Sequence, residues 1–424
     1  MTGAEELPPF DPGRLDLADP YPVYRRYREW DPVHAVRPSG GAGGAGAGFT
    51  TWYLFRYAEA ARVLAERAYR RRSPLDGRAA PIPEGYETLR RVVENWLVFL
   101  DPPLHTRLRA RVGPPLGTGA VAGLRPAVRS IAEELARPLA ARSAVELVRE
   151  FAAPFPLLVI ARVLGVEPGL WPWFRERALA LQEAGGTRGD RSPAGLARAD
   201  VAADELERYF TAELRARQAA RGAPYDLMGA LASAGRDEPA LTPGVLAATC
   251  VHLMTAGHET TTGLVGKAVL ALLARPGTAA DLRAEPGLLP GAVDEFLRFD
   301  PPVQMVTRWA WRDSELAGRP VRRGDRMVAV LGSAHRDPAR FADPDVLDVR
   351  RAGGRHCAFG LGAHYCAGAA LARLEAETGL AVLLDRLPLL RPEARPRVEV
   401  EYAPDWVFHG PSRLLLRARD ARAA

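Results

Sequence analysis

The chain has 424 residues, of which 47% are hydrophobic and 25% charged, a composition typical of globular proteins. This excludes a disordered, collagen-like or fibrous chain, and a core of this size needs no disulfide or metal to hold it together. The net charge of +6 comes from arginine, because Lys267 is the only lysine. The three cysteines, an odd number, exclude a disulfide framework and indicate a reducing compartment.

The basic residues are spread along the chain and form no stripe with aromatic residues. This pattern argues against nucleic-acid binding and leaves open a basic patch for an acidic protein partner. The first residues are acids and prolines rather than a basic segment followed by an apolar one, so we expect no secretory signal. No stretch approaches the ~18 uninterrupted apolar residues of a membrane span. We therefore expect a soluble, cytoplasmic protein without a membrane anchor.

The first predicted elements form a β-hairpin. Residues 33–36 and 50–55 are rich in β-branched and aromatic residues, as is typical of strands. Between them, residues 39–48 are all small, which predicts a flexible Gly/Ala loop. Helices are predicted further along at 124–139 and 196–220, where apolar residues recur at helical spacing.

One predicted helix stands out by its length. Thr242 is a good N-cap, Pro243 suits the first helical position, and apolar periodicity continues to about Ala274. At ~1.5 Å per residue such a helix is about 48 Å long, enough to cross the centre of the domain. It contains Ala-Gly-His-Glu-Thr-Thr at 256–261, a poor choice for a buried helix on propensity alone. We expect a functional role to offset that cost.

The residue pattern in the last third of the chain is no longer predominantly helical. Short β-like segments occur at 303–310 and 327–331. A segment without regular pattern, 353–368, leads into a strong helix at 367–384. No repeats and no domain boundary are visible, so the sequence predicts one mostly α-helical domain over 1–424 with a small β-rich lobe.

The most informative segment is 359–368, Phe-Gly-Leu-Gly-Ala-His-Tyr-Cys-Ala-Gly. Its three glycines let the backbone turn tightly and approach a bulky group. Cys366 lies where the next helix begins, and the unpaired N–H groups of a helix start stabilise a thiolate. No second cysteine or histidine stands at zinc spacing, which argues against a zinc site. The alternative is a buried, inert cysteine, but Phe359, the glycines, His364 and Cys366 rarely coincide by chance.

These positions resemble the signature loop of cytochrome P450, the haem-thiolate monooxygenase family, which is Phe-Gly-x-Gly-x-His/Arg-x-Cys-x-Gly. The resemblance extends over nearly the whole chain. Residues 295–298 are similar to the family's Glu-x-x-Arg helix, 256–260 to its oxygen-activating motif, and 101–109 to the segment that reaches the haem propionates. The resemblance implies the cytochrome P450 fold, with haem b buried between the long central helix and the cysteine-bearing helix.

The resemblance also implies which residues bind haem. Cys366 is the expected ligand of the iron, where a thiolate pushes electron density toward bound oxygen. Further contacts around the ring are expected at Ala256, Phe359, Gly360 and Gly368. Cationic or hydrogen-bonding partners of the propionates are expected at His105, Arg109, Arg308, His356 and His364.

Glu259 and Thr260 are the expected catalytic residues. Cleavage of the O–O bond needs protons, and an acid beside a hydroxyl can hold and relay water. Thr260 can also bond back to the carbonyl of residue 256 and open the helix there. The alternative is a solvated kink without a chemical role.

Glu295 and Arg298 can pair on one helix face. In the family such a pair belongs to a buried network with a third residue, an arginine, which is expected here to be Arg336 or Arg340. This role is structural rather than catalytic.

Two positions depart from the family's pattern. His335 stands where asparagine is common, and Cys357 stands where an apolar residue is usual. Neither position has a direct catalytic role, and Cys357 is a candidate for oxidation.

The substrate pocket is expected to be apolar and aromatic with a few polar points. Its expected lining residues are Leu97, Val98, His252, Thr255, Gln304, Met305 and Val407. Plain core packing is an equally good interpretation of each.

From the resemblance we expect a monooxygenase that activates O2 and hydroxylates or epoxidises a small organic substrate in bacterial specialised-metabolite biosynthesis. Its electrons are expected from a ferredoxin and an NAD(P)H-dependent ferredoxin reductase that dock on a basic face of a monomer. An alternative is an atypical oxidation such as ring coupling, nitration or desaturation, although the presence of both Glu259 and Thr260 favours ordinary oxygen activation. A second alternative is a non-catalytic haem sensor, which needs no proton relay.

Overall fold

The structure, a computed structural model, describes residues 7–37, 48–79, 82–185, 192–220, 226–351 and 354–419. The predicted Gly/Ala loop at 39–48 lies outside these ranges except for its last residue. The predicted hairpin that flanks the loop is confirmed, because the two strands pair antiparallel with Val33 opposite Leu54.

Helices make up most of the described chain. They are α1 (Tyr21–Trp30), α2 (Tyr57–Ala65), α3 (Glu87–Glu94), α4 (Leu104–Val112), α5 (Thr118–Ala122), α6 (Arg125–Ala136), α7 (Pro154–Leu164), α8 (Trp171–Gly185), α9 (Pro193–Ala219), α10 (Leu227–Asp237), α11 (Pro243–Leu273), α12 (Pro276–Ala284), α13 (Leu289–Phe299), α14 (Leu331–Ala334) and α15 (Ala369–Arg386). Within the described ranges, none of them is long and apolar enough to cross a membrane.

The strands form three small sheets. They are β1 (Val33–Val36), β2 (Thr51–Leu54), β3 (Tyr69–Arg70), β4 (Ala144–Glu146), β5 (Met305–Ala310), β6 (Ser314–Leu316), β7 (Arg319–Val321), β8 (Arg326–Val330), β9 (Arg397–Tyr402) and β10 (Pro411–Arg417). The largest sheet has the order β1-β2-β8-β5-β3, the second β4-β10-β9, and the third pairs β6 with β7. β2 and β8 run parallel, and the other neighbours run antiparallel. The large sheet forms the predicted β-rich lobe.

The predicted central helix is confirmed as α11, which has 31 residues. Its N-cap is the predicted one, since the side chain of Thr242 accepts a hydrogen bond from the backbone N–H of Val245. Most residues of α11 are buried, because α7, α9, α13 and α15 all pack against it. The helix therefore crosses the centre of the helical part.

Close packing explains one glycine of this helix. A Cβ atom on Gly257 would lie 3.0 Å from Cγ1 of Ile160 in α7, closer than carbon atoms normally approach. The expected opening of the helix at this motif is not observed, because α11 runs through 256–261 without a break. The glycine thus serves the contact between two helices rather than a kink.

The only lysine is buried in the same core. Lys267 is 4% exposed, and its Nζ donates to Oδ1 of Asp300 at 2.8 Å and to the carbonyl of Pro301 at 2.9 Å. Burial lowers the pKa of Lys267, and the charge of Asp300 opposes that shift. The hydroxyl of Tyr21 donates to the same Oδ1 at 2.5 Å. These hydrogen bonds connect α11 to α1 and to the end of α13.

Candidate active site

The cysteine loop is a tight turn between the β-rich lobe and α15. The backbone N–H of Cys366 donates to the carbonyl of Phe359 at 2.8 Å and closes the turn. Gly360 and Gly362 have φ angles of 69° and 67°, which glycine adopts without strain. A Cβ atom on Gly362 would lie 3.0 Å from the backbone of Ala65, so the loop packs directly against the end of α2. The sulfur is therefore presented from a constrained backbone.

Cys366 is a half-buried residue just before α15 begins. Burial raises the pKa of the Cys366 thiol, although a hydrogen bond from the backbone N–H of Gly368 and the charges of Arg109 and Arg373 lower it. The groups at the helix start thus stabilise the thiolate as predicted, but their effect on the pKa is smaller than the opposite effect of burial. A metal ion bound to the sulfur would favour the thiolate further.

Neighbouring side chains that contact its ring hold Phe359 in place. The guanidinium of Arg373 lies 4.5 Å from the ring centroid and donates to Oδ1 of Asp294 at 2.8 Å. His356 lies 3.1 Å from the same oxygen through Nε2, and its Nδ1 accepts the N–H of Ala358 at 3.2 Å. Both ring nitrogens of His356 are engaged here. These contacts make His356 a support of the loop, and its place among the propionate partners stays a prediction.

The other four predicted propionate partners come together. The rings of His105 and His364 lie 4.2 Å apart. Burial, followed by the charges of neighbours that include Arg308 and Arg109, lowers the pKa of His364 to about 2. Burial and the charge of Arg109 lower the pKa of His105 to about 4. Since Arg109 also affects the thiol of Cys366, this group of cations adjoins the cysteine loop.

The charge of this group suits the haem propionates. Arg308 is 2% exposed, and its guanidinium donates to the carbonyl of Thr307 at 3.0 Å. Burial and the charge of Arg71 hold the pKa of Arg308 well below its usual value. Nδ1 of His105 is buried without a hydrogen-bond partner among the described residues. Two carboxylates from a ligand would satisfy these groups, so the residues present fit the haem propionates.

The middle of α11 borders open space inside the protein. Ala256 is exposed, and Glu259 and Thr260 are half-buried, whereas 250–255 is buried throughout. The hydroxyl of Thr260 donates to the carbonyl of Ala256 at 3.1 Å, as predicted. Because helices surround this part of α11, the accessible surface faces an interior space. The two predicted catalytic residues thus flank that space.

A buried acid that is not among the predicted site residues lies behind this part of α11. Glu375 in α15 is 1% exposed and forms a hydrogen bond with the hydroxyl of Thr261. Burial raises the pKa of Glu375 well above its usual value, and the hydrogen bond with Thr261 opposes that shift. A signal was present, because Glu375 shares an apolar helical stripe with Leu371 and Leu374.

Four of the predicted pocket residues belong to two neighbouring segments. Leu97 is buried in the core and Val98 is half-buried, both in the 3-10 turn Leu97–Phe99. On α11, the imidazole of His252 lies 5.3 Å from the ring of Trp96. Thr255 is buried, and its hydroxyl donates to the carbonyl one turn earlier at 2.8 Å. The turn and the helix therefore meet at His252.

The remaining predicted pocket residues lie at the start of β5 and in the tail. The N–H of Gln304 donates to the carbonyl of Val407 at 2.8 Å, so these segments meet. The amide of Gln304 donates to the carbonyl three residues earlier, and Met305 and Val407 pack with aromatic residues of the first 55 positions. Since strand residues alternate between faces, Val306 rather than Met305 shares the face of Arg308. Val306, which is expected beside Gln304 and Met305 in the pocket wall, therefore lies on the face of Arg308.

The Glu-x-x-Arg pair forms the expected buried network. Nε and Nη2 of Arg298 each donate to a different oxygen of Glu295 at 2.7 Å. The further arginine that pairs with this carboxylate is Arg351, at 3.2 Å. The prediction of Arg336 or Arg340 is wrong, because the guanidinium of Arg336 binds the carbonyl that ends α13 instead.

Comparison with known proteins agrees with this geometry. The family model described as Cytochrome P450 matches residues 195–409. The chain is 34% identical to "Cytochrome P450 monooxygenase PikC" of Streptomyces venezuelae, over 100% of this chain and 98% of that protein. The solved structure of CalO2 resembles it with a TM-score of 0.83 and 32% identity, over 97% of this chain and 99% of that one.

A second solved structure is the bacillaene polyketide synthase cytochrome P450 PksS of Bacillus subtilis 168. It resembles this chain with a TM-score of 0.82 and 27% identity, and the likeness covers 97% of this chain and 100% of that one. The likeness thus extends well beyond the signature loop, over both the helical part and the β-rich lobe. This chain belongs to the cytochrome P450 family of haem-thiolate monooxygenases.

Proposed function

We propose that this chain is a haem b monooxygenase that hydroxylates or epoxidises a small organic substrate in a tailoring step of bacterial specialised metabolism. The observation that carries the proposal is the cation group of half-buried Arg109 and buried Arg308, which adjoins the Cys366 loop where His105 meets His364. The similarity to PikC and to the polyketide synthase P450 PksS supports the biosynthetic setting. The whole chain, 1–424, acts as one domain in this proposal.

Each group of residues has one part in holding the haem. Cys366 ligates the iron through its sulfur, which the N–H of Gly368 keeps hydrogen-bonded. Phe359 and Gly360 would contact the haem from the cysteine loop, and Ala256 would contact it from α11. The propionates are bound by four residues: His105, Arg109, Arg308 and His364.

Glu259 and Thr260 of α11 supply and relay protons. When bound, haem supplies the redox chemistry by which the family activates O2. Thr260 can exchange its bond to the Ala256 carbonyl for a bond to water, and Glu259 can supply that water with a proton. Glu375, whose carboxyl burial makes harder to ionise, lies next to Thr261 on the same side of α11. These side chains place a proton source along one side of α11.

The substrate and the electron donors reach the haem from different sides. The substrate pocket is formed by Leu97, Val98, His252, Thr255, Val306 and Val407. Electrons come from a ferredoxin and its NAD(P)H-dependent reductase, which meet the monomeric protein on the side of the cysteine loop. The arginine-rich surface suits an acidic ferredoxin.

A carbon monoxide difference spectrum of the reduced protein tests the haem-thiolate assignment. We expect the red-shifted band that a thiolate ligand produces in the freshly purified protein. The Cys366→Ala variant should lack this band. Its absence from the parent protein, or its persistence in the variant, would refute the proposal.

A reconstituted reaction tests the activity. With a ferredoxin, its reductase and NAD(P)H, the protein should form a product that gains one oxygen atom in the presence of its substrate. A coupled, nitrated or desaturated product would identify an atypical oxidation instead. No electron transfer from any donor would favour a haem sensor.

A further inference from the structure

Four side chains form a stack between β3 and α11, which we call the roof cluster: Arg71, Trp96, Phe99 and His252. The guanidinium of Arg71 lies 5.2 Å from the ring centroid of Phe99. The rings of Phe99 and Trp96 are nearly parallel, 6.1 Å apart, and Trp96 lies 5.3 Å from the imidazole of His252. The roof cluster thus connects the cation group near Arg308 to the proposed substrate pocket.

Arg71 is positioned by backbone carbonyls. Its Nε donates to the carbonyl of Val98 at 2.8 Å, and its Nη1 donates to that of Thr307 at 2.7 Å. Burial lowers the pKa of Arg71 to about 10, so the guanidinium stays charged at neutral pH. Part of its surface is nevertheless accessible, as expected of a deep side chain that borders an interior space.

No carboxylate of the described residues forms an ion pair with Arg71. Asp101 is near enough to influence its charge, but the oxygens of Asp101 accept the backbone N–H groups of Arg71 and Arg72, at 3.1 and 3.0 Å. The Nη2 atom of Arg71 is therefore available to a hydrogen-bond acceptor that is not part of the described chain. Buried guanidinium groups normally have such an acceptor.

Two further polar atoms of the roof cluster lack partners. Nε1 of Trp96 and Nδ1 of His252 are buried without a hydrogen-bond partner among the described residues, and both side chains are 9% exposed. Burial and the charge of Arg71 lower the pKa of His252 to about 3, so the imidazole is neutral. A buried polar atom without a partner destabilises the protein, and a hydrogen bond with a ligand would offset that.

We propose that the roof cluster binds a carboxylate of the substrate, with Arg71 as the cation and Trp96 and His252 as neutral donors. The proposal rests on the proposed monooxygenase function, since it concerns the same pocket. Arg109 and Arg308 already supply one cation for each haem propionate, so Arg71 is a further positive charge. A carboxylate, unlike a neutral acceptor, balances that charge.

Optical titration of the ferric haem-loaded protein tests this proposal. The probes are octanoic, dodecanoic and hexadecanoic acids and the methyl ester of each. We expect at least one acid to shift the haem to high spin and to bind at least about tenfold more tightly than its ester, because the ester lacks the charge. Equal binding of acids and esters, or no shift with any acid, would overturn the proposal.

Variants assign the preference to Arg71. In Arg71→Gln the acid should bind at least about tenfold more weakly, with the ester unchanged, and Arg71→Lys should keep part of the preference. Arg70→Gln is the matched control, because the guanidinium of Arg70 stacks on Trp311 instead, and it should behave as the parent does. An unchanged preference in Arg71→Gln overturns the proposal.

Two controls separate the possible failures. Loss of haem from Arg71→Gln with unchanged acid preference would make Arg71 a propionate partner and overturn the substrate role. The carbon monoxide band and the spectral response to imidazole are recorded on the same samples. If both are normal while acids and esters bind alike, the roof proposal fails and the monooxygenase function stands; if both are absent, the proposed function itself fails.

Discussion

Nε2 of His335 accepts the backbone N–H of Cys357 at 3.0 Å and lies 3.2 Å from the sulfur of the same residue. These are the two positions at which the sequence departs from the family's pattern, and the structure shows that they are partners. Burial raises the pKa of the Cys357 thiol to about 12 and holds the pKa of His335 well below its usual value. Both side chains are therefore neutral, which argues against the predicted oxidation of Cys357.

Replacement of His335 by leucine should destabilise the cysteine loop. The N–H of Cys357 would remain buried without an acceptor, which costs about 1–3 kcal/mol. Urea denaturation should show that loss, and the carbon monoxide band should decay faster as the thiolate ligand is lost. Cys357→Ala is the control, since it keeps the N–H bond, and His335→Asn should recover part of the stability. Equal stability of the leucine variant and the parent would contradict this role.

Replacement of Glu375 by glutamine should change the pH dependence of stability. The folded state raises the pKa of Glu375 well above 4.5, so above pH 4.5 the folded protein holds a proton that the unfolded chain releases. Stability is therefore lost as the pH rises from 4.5 toward the folded pKa. Glu375→Gln should be more stable than the parent at high pH and should lose less stability with increasing pH. Parallel stability curves from urea denaturation would exclude a raised pKa.

Replacement of Thr260 by alanine should uncouple NAD(P)H consumption from product formation. Positioned proton donors contribute roughly 10²–10⁴-fold to such steps, so we expect product per NAD(P)H to fall at least about tenfold. Thr262→Ala is the matched control, because its hydroxyl makes the same kind of bond, to the carbonyl of His258 at 2.9 Å. Substrate affinity should be unchanged in both variants. Equal uncoupling in both would point to a general helix effect.

Replacement of Arg308 by methionine should weaken haem binding without destabilising the haem-free protein. Arg308 is buried beside other cations, and removal of such a charge relieves its burial cost and the repulsion from Arg71 in the haem-free protein. With propionates present the same charge is paired, so we expect haem transfer to apomyoglobin to accelerate at least about tenfold. The exposed Arg107 of α4 provides a control substitution. A large loss of stability in the haem-free variant would contradict the propionate role.

Local signals predicted the parts of the fold that are encoded in short stretches. The N-cap Thr242 and the following proline identify the start of α11, and the loop from Phe359 to Cys366 identifies the cysteine site. β9 was missed although its alternation of valine and glutamate is the period of a half-exposed strand. Strand pairing and the order of the sheets depend on distant segments, which such signals do not reveal.

The parts of the site that escaped prediction depend on tertiary packing. Arg71 stands in a run of three arginines, and nothing local distinguishes it from Arg70, which stacks on the half-buried Trp311. His356 lies close to the cysteine loop in sequence, but its two ring nitrogens form hydrogen bonds with Asp294 and Ala358, which support that loop. Arg351 reaches Glu295 across 56 positions. Spacing along the chain identifies candidate side chains, and only packing decides which of them meet.

The contact between Lys267 and Asp300 has a practical consequence for experiments on folding. Because the sole lysine amine is enclosed in the core, an acylating reagent can label it only when α11 separates from its neighbours. Mass spectrometry of the labelled peptide would then report, at a single position, how often the middle of the molecule opens. Lys267 is thus a natural single-site probe of transient opening of the core, without any engineered tag.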